Sequence, residues 1–454
     1  MSKTVMIVDH SARADAVARA YLKEGHRVVM TAGNEFIAHL YKDQVTLEPE
    51  ANHKKPETVL AAARKHKPDL VDVCQDDALA LGVVNTLQEN GFKAFGPSKL
   101  AAEIESSKIW ARKFTDRHGI PHPKFYICNS AEEGFNAALA LYNPSHPFFG
   151  RRWIKADGLC GGKGAVPADS LAEAEAAVRS MKSHGKAGER FLIEENIAGD
   201  DGQPGEEASF YTNTDGTTLY TLRAAQDHKR LLNFDEGPNT GGTGAVCPTS
   251  AIDDKIAMMV EEQIIRPTIY GMKAEKREYR GWLYTSVMIV NKNGQKAAYV
   301  VEFNSRLGAP EAETLVPRIK TPMSEIANAC IEGRLNEIEI EEDDKVRVGI
   351  VGATRGYPTS AAEKNYGKRI YGLEDAMAMP GITINGAGIG VKDGKFVAKG
   401  GRLFTLVAEG NNILDARVKA LSAMALISIE GNNLHYRTDI GWRDLERYYK
   451  NVAS

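Results

Sequence analysis

The 454-residue chain has little that would tie it to a membrane, a metal cluster or a nucleic acid. No apolar run approaches the roughly 20 residues that a bilayer-spanning helix needs. The first one, Val5-Met6-Ile7-Val8, is cut by Asp9 and His10, too short for a secretory signal and right for a strand. The five cysteines, Cys74, Cys128, Cys160, Cys247 and Cys330, are scattered, with no C-x-x-C pair and no histidine at ligand spacing. That excludes a disulfide framework and a zinc site, and predicts reduced thiols in a cytoplasmic protein. A formal net charge of -3 leaves no basic face to draw nucleic acid, so anionic small molecules must be met by local lysines and arginines. The Walker spacing is absent too, because Lys163 is followed by Gly164 and not by Ser or Thr, and no G-x-G-x-x-G dinucleotide fingerprint takes its place.

What is present is a phosphate-holding pattern of another kind. Trp153-Ile154-Lys155-Ala156-Asp157-Gly158 runs from an apolar strand into Leu159-Cys160-Gly161-Gly162-Lys163-Gly164. The glycines let backbone N–H groups approach phosphate oxygens without Cβ atoms intervening, while Lys155 and Lys163 offset the charge. Taken alone, a glycine-rich surface turn is the competing reading.

The length predicts three or four domains. Up to about residue 95, strands (Val5 to Val8, Arg27 to Met30, Leu70 to Val73) alternate with helices near Ala12 to Glu24, Pro56 to His66 and Ala78 to Asn90. This rhythm predicts a parallel Rossmann-like sheet with ligands at the carboxyl ends of its strands. Ser107 precedes a helix over Lys108 to Arg117, and another runs from Leu171 to Met181. Strand Phe191-Leu192-Ile193 leads through Glu194 and Glu195 to the polar loop Gly199 to Gly205. Strands then follow at Ala208 to Thr212, Leu219 to Leu222, Trp282 to Val290 and Ala297 to Phe303, with Asn293-Gly294 as a hairpin turn. A last unit starts at Val346 and ends in a helix over Ile413 to Ile429. The expected division is 1–103, 104–332 with a mobile small lobe near 122–195, and 333–454.

Two further groups carry chemistry. Glu302 and Asn304, at i and i+2 on a strand end, point to one face, and two hard oxygens side by side suit Mg²⁺ completed by phosphates. Alone they read better as a solvated strand end, but Arg306 and Gly308 close by favour a site. Gln226-Asp227-His228-Lys229-Arg230 lies just before Gly237-Pro238-Asn239-Thr240-Gly241-Gly242-Thr243-Gly244, whose glycines can present backbone donors. His228 is read as a positioning group before a general base, because its neighbours are cationic.

These blocks resemble the ATP-grasp superfamily, and within it the phosphoribosylamine–glycine ligase family (glycinamide ribonucleotide synthetases), in order from Phe95-Gly96-Pro97-Ser98 to Tyr436-Arg437-x-Asp439-Ile440-Gly441. The resemblance implies an α/β and α+β multidomain protein: an ATP-grasp fold with an N-terminal Rossmann-like domain and a small C-terminal mixed domain. It implies ATP-dependent ligation of glycine to 5-phosphoribosylamine through a glycyl phosphate, with ATP and Mg²⁺ (or Mn²⁺). Lys108, Lys155, Gly161, Gly162, Lys163 and Gly164 would meet the phosphates, and Glu194, Glu195 and Ile197 would form the adenine hinge, with Glu207 near the ribose. Arg306, Gly308, Asp227, Lys229, Asn239, Thr240, Gly241 and Gly242 would hold glycine and the acyl phosphate, with Lys155, Arg306 and Asp227 closest to the reaction. Glu302 and Asn304 would hold the metal, and Arg13 would serve the amine. A monomer or small homo-oligomer is expected.

The chain departs from the family pattern on the amine side. A glycine-rich Gly-Ser-Gly-Gly-Arg-Glu-His loop is replaced by Asp9-His10-Ser11-Ala12-Arg13-Ala14-Asp15, Gly-Pro-Glu by Cys74-Gln75-Asp76, and the Asp after Gly308 by Ala309. An aspartate at position 9 would repel a phosphate, which leaves a ligase for a different amine acceptor as the alternative.

Overall fold

The computed structural model describes residues 2–142, 151–161, 164–200, 202, 203 and 205–453. Its first unit is a parallel sheet in the spatial order Val45–Glu48, Arg27–Thr31, Thr4–Val8, Leu70–Val73, Ala94–Phe95. The central strands are buried on both faces, as their unbroken Val, Ile and Met runs require. The helix Ala12–Lys23 leaves the end of Thr4–Val8 and is buried along its first two turns, wedged against Glu311–Leu315 and Ile382–Gly386. The helix expected over Ala78 to Asn90 is two, Asp76–Leu81 and Val83–Glu89, broken where Gly82 takes φ +84°.

Two antiparallel sheets come next. The smaller has the order Phe125–Cys128, Phe191–Glu195, Arg152–Ala156, Ala165–Ala168. One face carries Ile154, Ala156, Phe191 and Ile193 into a core under two helices, so the alternate residues Trp153, Lys155 and Glu194 must face outward. The larger has the order Leu219–Thr221, Glu206–Thr214, Gly281–Lys292, Gln295–Asn304. Its apolar face holds Ala208, Phe210, Leu283, Val287, Val300 and Phe303. Glu207, Ser209, Tyr284, Ser286, Met288, Glu302 and Asn304 lie on the opposite face by register. A bulge at Ser286/Val287 takes up Val301 as an extra residue, which keeps Val300 and Phe303 in the core and puts Glu302 and Asn304 on the polar face.

The third large sheet joins distant parts of the chain, with Gln226–Asp227 and Gly244–Cys247 pairing onto Val346–Thr354, Arg402–Gly410 and Ile382–Gly386. The expected last helix stops at Met424, because Ser428–Ile429 pairs as a strand with Ile370–Tyr371. The polar loop after Gly199 is tied down at Asp200. Asp200 donates its N–H to the Asn291 carbonyl, accepts from the Asn293 N–H at 2.6 Å, and meets Lys292 at 3.1 Å, so it fastens to the hairpin turn of the larger sheet. Among the described residues no helix is long and apolar enough to cross a membrane, and all five cysteines are free.

Candidate functional site

The polar faces of the two antiparallel sheets look at each other across a cavity of about 290 Å³. From the small sheet come Trp153, Lys155, Glu194 and Glu195, with Gly161 and Gly164 of the glycine loop and Asn196 and Ile197 of the segment joining the sheets. From the large sheet come Glu207, Tyr284, Met288, Glu302 and Asn304. Lys108 and Arg112 project from the helix Lys108–Arg117, which Ser107 caps by accepting the Trp110 N–H. Asp227, Lys229, Asn239, Thr240, Gly241, Arg306 and Gly308 complete the wall. Gly162 and Lys163 lie outside the described residues.

Lys155 is buried and pairs with Glu194 at 2.7 Å, and Arg112 Nε meets the same carboxylate at 2.6 Å. Burial alone would raise the Glu194 carboxyl, but the two cations outweigh it and hold it at about 2. Two positive charges against one negative leave a net cationic wall, which suits phosphate oxygens. The Glu194 side chain is thus occupied by Arg112 and Lys155. Glu195 and Ile197 line the cavity beside it, and the Glu195 carboxylate accepts from the Lys124 N–H at 2.9 Å. Lys108 Nζ donates to the Gly158 carbonyl at 3.3 Å. Asp157 holds that junction together, accepting from the Ser107 hydroxyl at 2.8 Å and the Ile109 N–H at 2.9 Å.

Glu207 is likewise engaged, by Lys229 at 2.6 Å and the Ser286 hydroxyl at 2.5 Å. Burial works against its charge, yet Lys229 keeps its carboxyl below the usual range. Glu302 and Asn304 differ, because among the described residues their side chains have no hydrogen-bond or ion-pair partner and both line the cavity. One carboxylate and one amide oxygen, unengaged and on one face, form a hard-donor pair that fits a magnesium-type ion. Among the described residues no cluster of three or more His, Cys, Asp or Glu could hold a metal. An ion here would therefore draw its remaining ligands from a bound phosphate or water.

At the far end Arg306 meets Glu105 at 2.9 Å and Asp76 at 3.9 Å. Gly308 is required by space, since a Cβ there would come within 2.5 Å of the Tyr211 hydroxyl and 2.9 Å of the Glu311 carboxylate. The Asp227 side chain is largely buried, at 8% exposure, and desolvation and then Glu311 raise its carboxyl well above the usual range. Gly242 stands behind the cavity wall at φ +104°, and a Cβ would strike Pro310 at 2.4 Å. His228 turns away from the cavity, its Nε2 accepting from the Gly441 N–H at 3.1 Å. Burial, then the Arg437 charge, depress its imidazole to about 4, so it is a neutral bracket to the C-terminal segment. Arg13 does not line the cavity. Its guanidinium is taken up by Asp9, the Leu307 carbonyl and Gln75, so the structure does not bring it to the cavity with the other expected substrate-binding residues.

Comparison with known proteins matches this arrangement to one family throughout. Phosphoribosylglycinamide synthetase models match as the N domain over residues 3–105, the ATP-grasp (A) domain over 106–312 and the C domain over 347–443. The phosphoribosylamine–glycine ligase of Escherichia coli O6:H1 is 37% identical over 392 residues, 86% of each chain. The chain belongs to the phosphoribosylglycinamide synthetase family. The crystal structure of the Thermotoga maritima phosphoribosylamine–glycine ligase superposes with a TM-score of 0.76 at 30% identity, covering 96% of this chain and all of that one. The trifunctional purine biosynthetic protein adenosine-3 of Bos taurus is 35% identical over 98% of this chain, which spans 42% of that protein's length.

Several residues around this site escape a reading of the sequence. Arg112 carries a local signal, standing one helical turn after Lys108 on the same face. Arg402 and Tyr357 carry none. They arrive from the C-terminal segment, Arg402 donating to the carbonyls of Gly241 and Ala309 and the Tyr357 hydroxyl accepting from the Gly241 N–H at 3.0 Å.

Proposed function

We propose that the chain ligates glycine to 5-phosphoribosylamine at the expense of ATP, giving glycinamide ribonucleotide, ADP and phosphate through a glycyl phosphate, in purine biosynthesis. The observation that carries this reading is the meeting of Lys108, Lys155 and Arg112 with the unengaged Glu302 and Asn304 in one cleft between two sheets. Phosphoryl transfer asks a protein mainly for alignment and charge neutralisation, and these residues supply both. Lys108 and Lys155, with Gly161 and Gly164, line the nucleotide phosphate region, and Glu195 and Ile197 border the adenine. Glu302 and Asn304 hold Mg²⁺ or Mn²⁺, which when bound neutralises phosphate charge.

Arg306, Gly308 and the Asn239–Gly241 segment hold glycine and its acyl phosphate. The largely buried Asp227 supports that wall and helps keep water from a mixed anhydride that hydrolyses readily. The working parts are residues 1–103, 104–332 and 333–454, acting in the cytoplasm as a monomer or small homo-oligomer. A coupled assay tests the reading. ADP release should require glycine and 5-phosphoribosylamine together, and the product mass should equal their condensation product. ADP release indifferent to glycine would overturn it.

A further inference from the structure

In a parallel βαβ unit the turn after the first strand and the head of the following helix present N–H groups to a ligand anion. Here that place already holds one. Asp9 is fully buried, and its Oδ1 accepts from the backbone N–H groups of His10 at 2.6 Å and Ser11 at 2.9 Å. Its Oδ2 accepts from the Ser11 hydroxyl at 3.0 Å and from Arg13 Nε at 2.8 Å. The rest of the Arg13 fork is directed at the Leu307 carbonyl at 3.0 Å and Gln75 at 3.1 Å. Two backbone donors, a hydroxyl and a guanidinium are the set a phosphate would use, and the chain's own carboxylate takes all four.

The adjoining end of the cavity is also acidic. Asp76 and Glu105 both face Arg306, so two carboxylates stand against one guanidinium. A dianion arriving from the amine side meets the partly exposed Asp76, the buried Glu105 and filled donors behind them.

We propose that Asp9 is a specificity-determining residue that closes this nest to the phosphate of the amine substrate, so that the acceptor is chosen by its amine and sugar. This rests on the ligase reading above for the identity of the acceptor. The nest is closed by a permanent internal ion pair and not by shape, since Asp9 and Arg13 sit one helical turn apart at 2.7 Å. Removing the charge while keeping the size therefore reopens it.

The test compares two acceptors made in place with the full chain: 5-phosphoribosylamine from ribose 5-phosphate and ammonia, and ribosylamine from ribose and ammonia. Wild-type kcat/KM for the two should lie within about tenfold of one another. Asp9→Asn and Asp9→Gly should each raise the preference for the phosphorylated amine by about tenfold or more, with the KM for ATP and for glycine unchanged. A wild-type preference above about 100-fold that Asp9→Asn leaves alone or lowers would overturn the proposal.

Inorganic phosphate provides a second measurement that does not depend on turnover. It should shift the His10 and Ser11 amide resonances in Asp9→Gly, or in Asp9→Asn should the glycine variant fold poorly, and not in the wild type. Equal shifts in the wild type would sink the idea. Absence of turnover with either amine would count against the ligase reading, and the phosphate titration would still decide the role of Asp9.

Discussion

Lys155 and Glu194 form a buried ion pair at 2.7 Å across neighbouring strands of the small sheet, and Arg112 grips the same carboxylate from the adjoining helix. The pair places the lysine in the cleft and fixes the small sheet to that helix. Removing one partner of a buried set is costly because the others stay charged and dry. Glu194→Ala should therefore lower unfolding stability by about 3–5 kcal/mol in urea titrations and weaken ATP binding. A change within about 0.5 kcal/mol would mean the triad is held from elsewhere.

The same carboxylate sets an acid limit. Its folded-state value of about 2 lies below its ordinary 4.5, so the group contributes stability that is complete above the ordinary value. That stability is lost as pH falls from 4.5 toward 2, and its full size is about 3 kcal/mol. Urea midpoints measured across this window should fall steeply in the wild type and less so in Glu194→Gln. Equal slopes in the two proteins would remove Glu194 from the explanation.

How much of this was legible in the chain depended on whether the signal was local. Glu302 and Asn304 share a face because strand side chains alternate, and Ser107 before Lys108 marks a helix start, so both could be read from spacing alone. Much of the parallel unit was legible for the same reason, but the break at Gly82, the helix Glu35–Leu40 and the strands Val45–Glu48 and Ala94–Phe95 were not. Spacing could not tell that Glu194 would be held by Arg112 and Lys155, since that pairing depends on how the sheet and helix dock. It could not place Arg402 or Tyr357, which reach Gly241 from more than a hundred residues away. Asp9 was legible as a charge hostile to phosphate, but not as the occupant of the nest.

Gly308 gives a steric prediction. A methyl group there would press on the Tyr211 hydroxyl and the Glu311 carboxylate at under 3.0 Å. Gly308→Ala should raise the KM for glycine at least about tenfold, with about 1–3 kcal/mol of destabilisation from overpacking and an unchanged KM for ATP. Unchanged glycine kinetics would place the glycine subsite elsewhere in the cavity.

Arg402 offers a test of how far the C-terminal segment shapes the site. Its guanidinium holds the Gly241 and Ala309 carbonyls, both on the cavity wall. Arg402→Ala should raise the KM for glycine several-fold while ATP dissociation stays the same. Arg402→Lys should restore only part of the loss, because an ammonium lacks the planar fork. Full activity in Arg402→Ala would show that the loop holds its shape unaided.

The most direct measurement is ADP release as a function of divalent metal concentration, made on the wild type and on Glu302→Ala. Glu302 is half-buried on the cavity wall, and among the described residues its carboxylate makes no hydrogen bond or ion pair, so the variant should unfold within about 0.5 kcal/mol of the wild type. Its rate should nevertheless fall at least about 100-fold at every metal concentration, the scale expected when a group that stabilises transferring phosphoryl charge is lost. Wild-type rates in Glu302→Ala, with the same metal dependence, would contradict the convergence of cations and one divalent ion on the triphosphate.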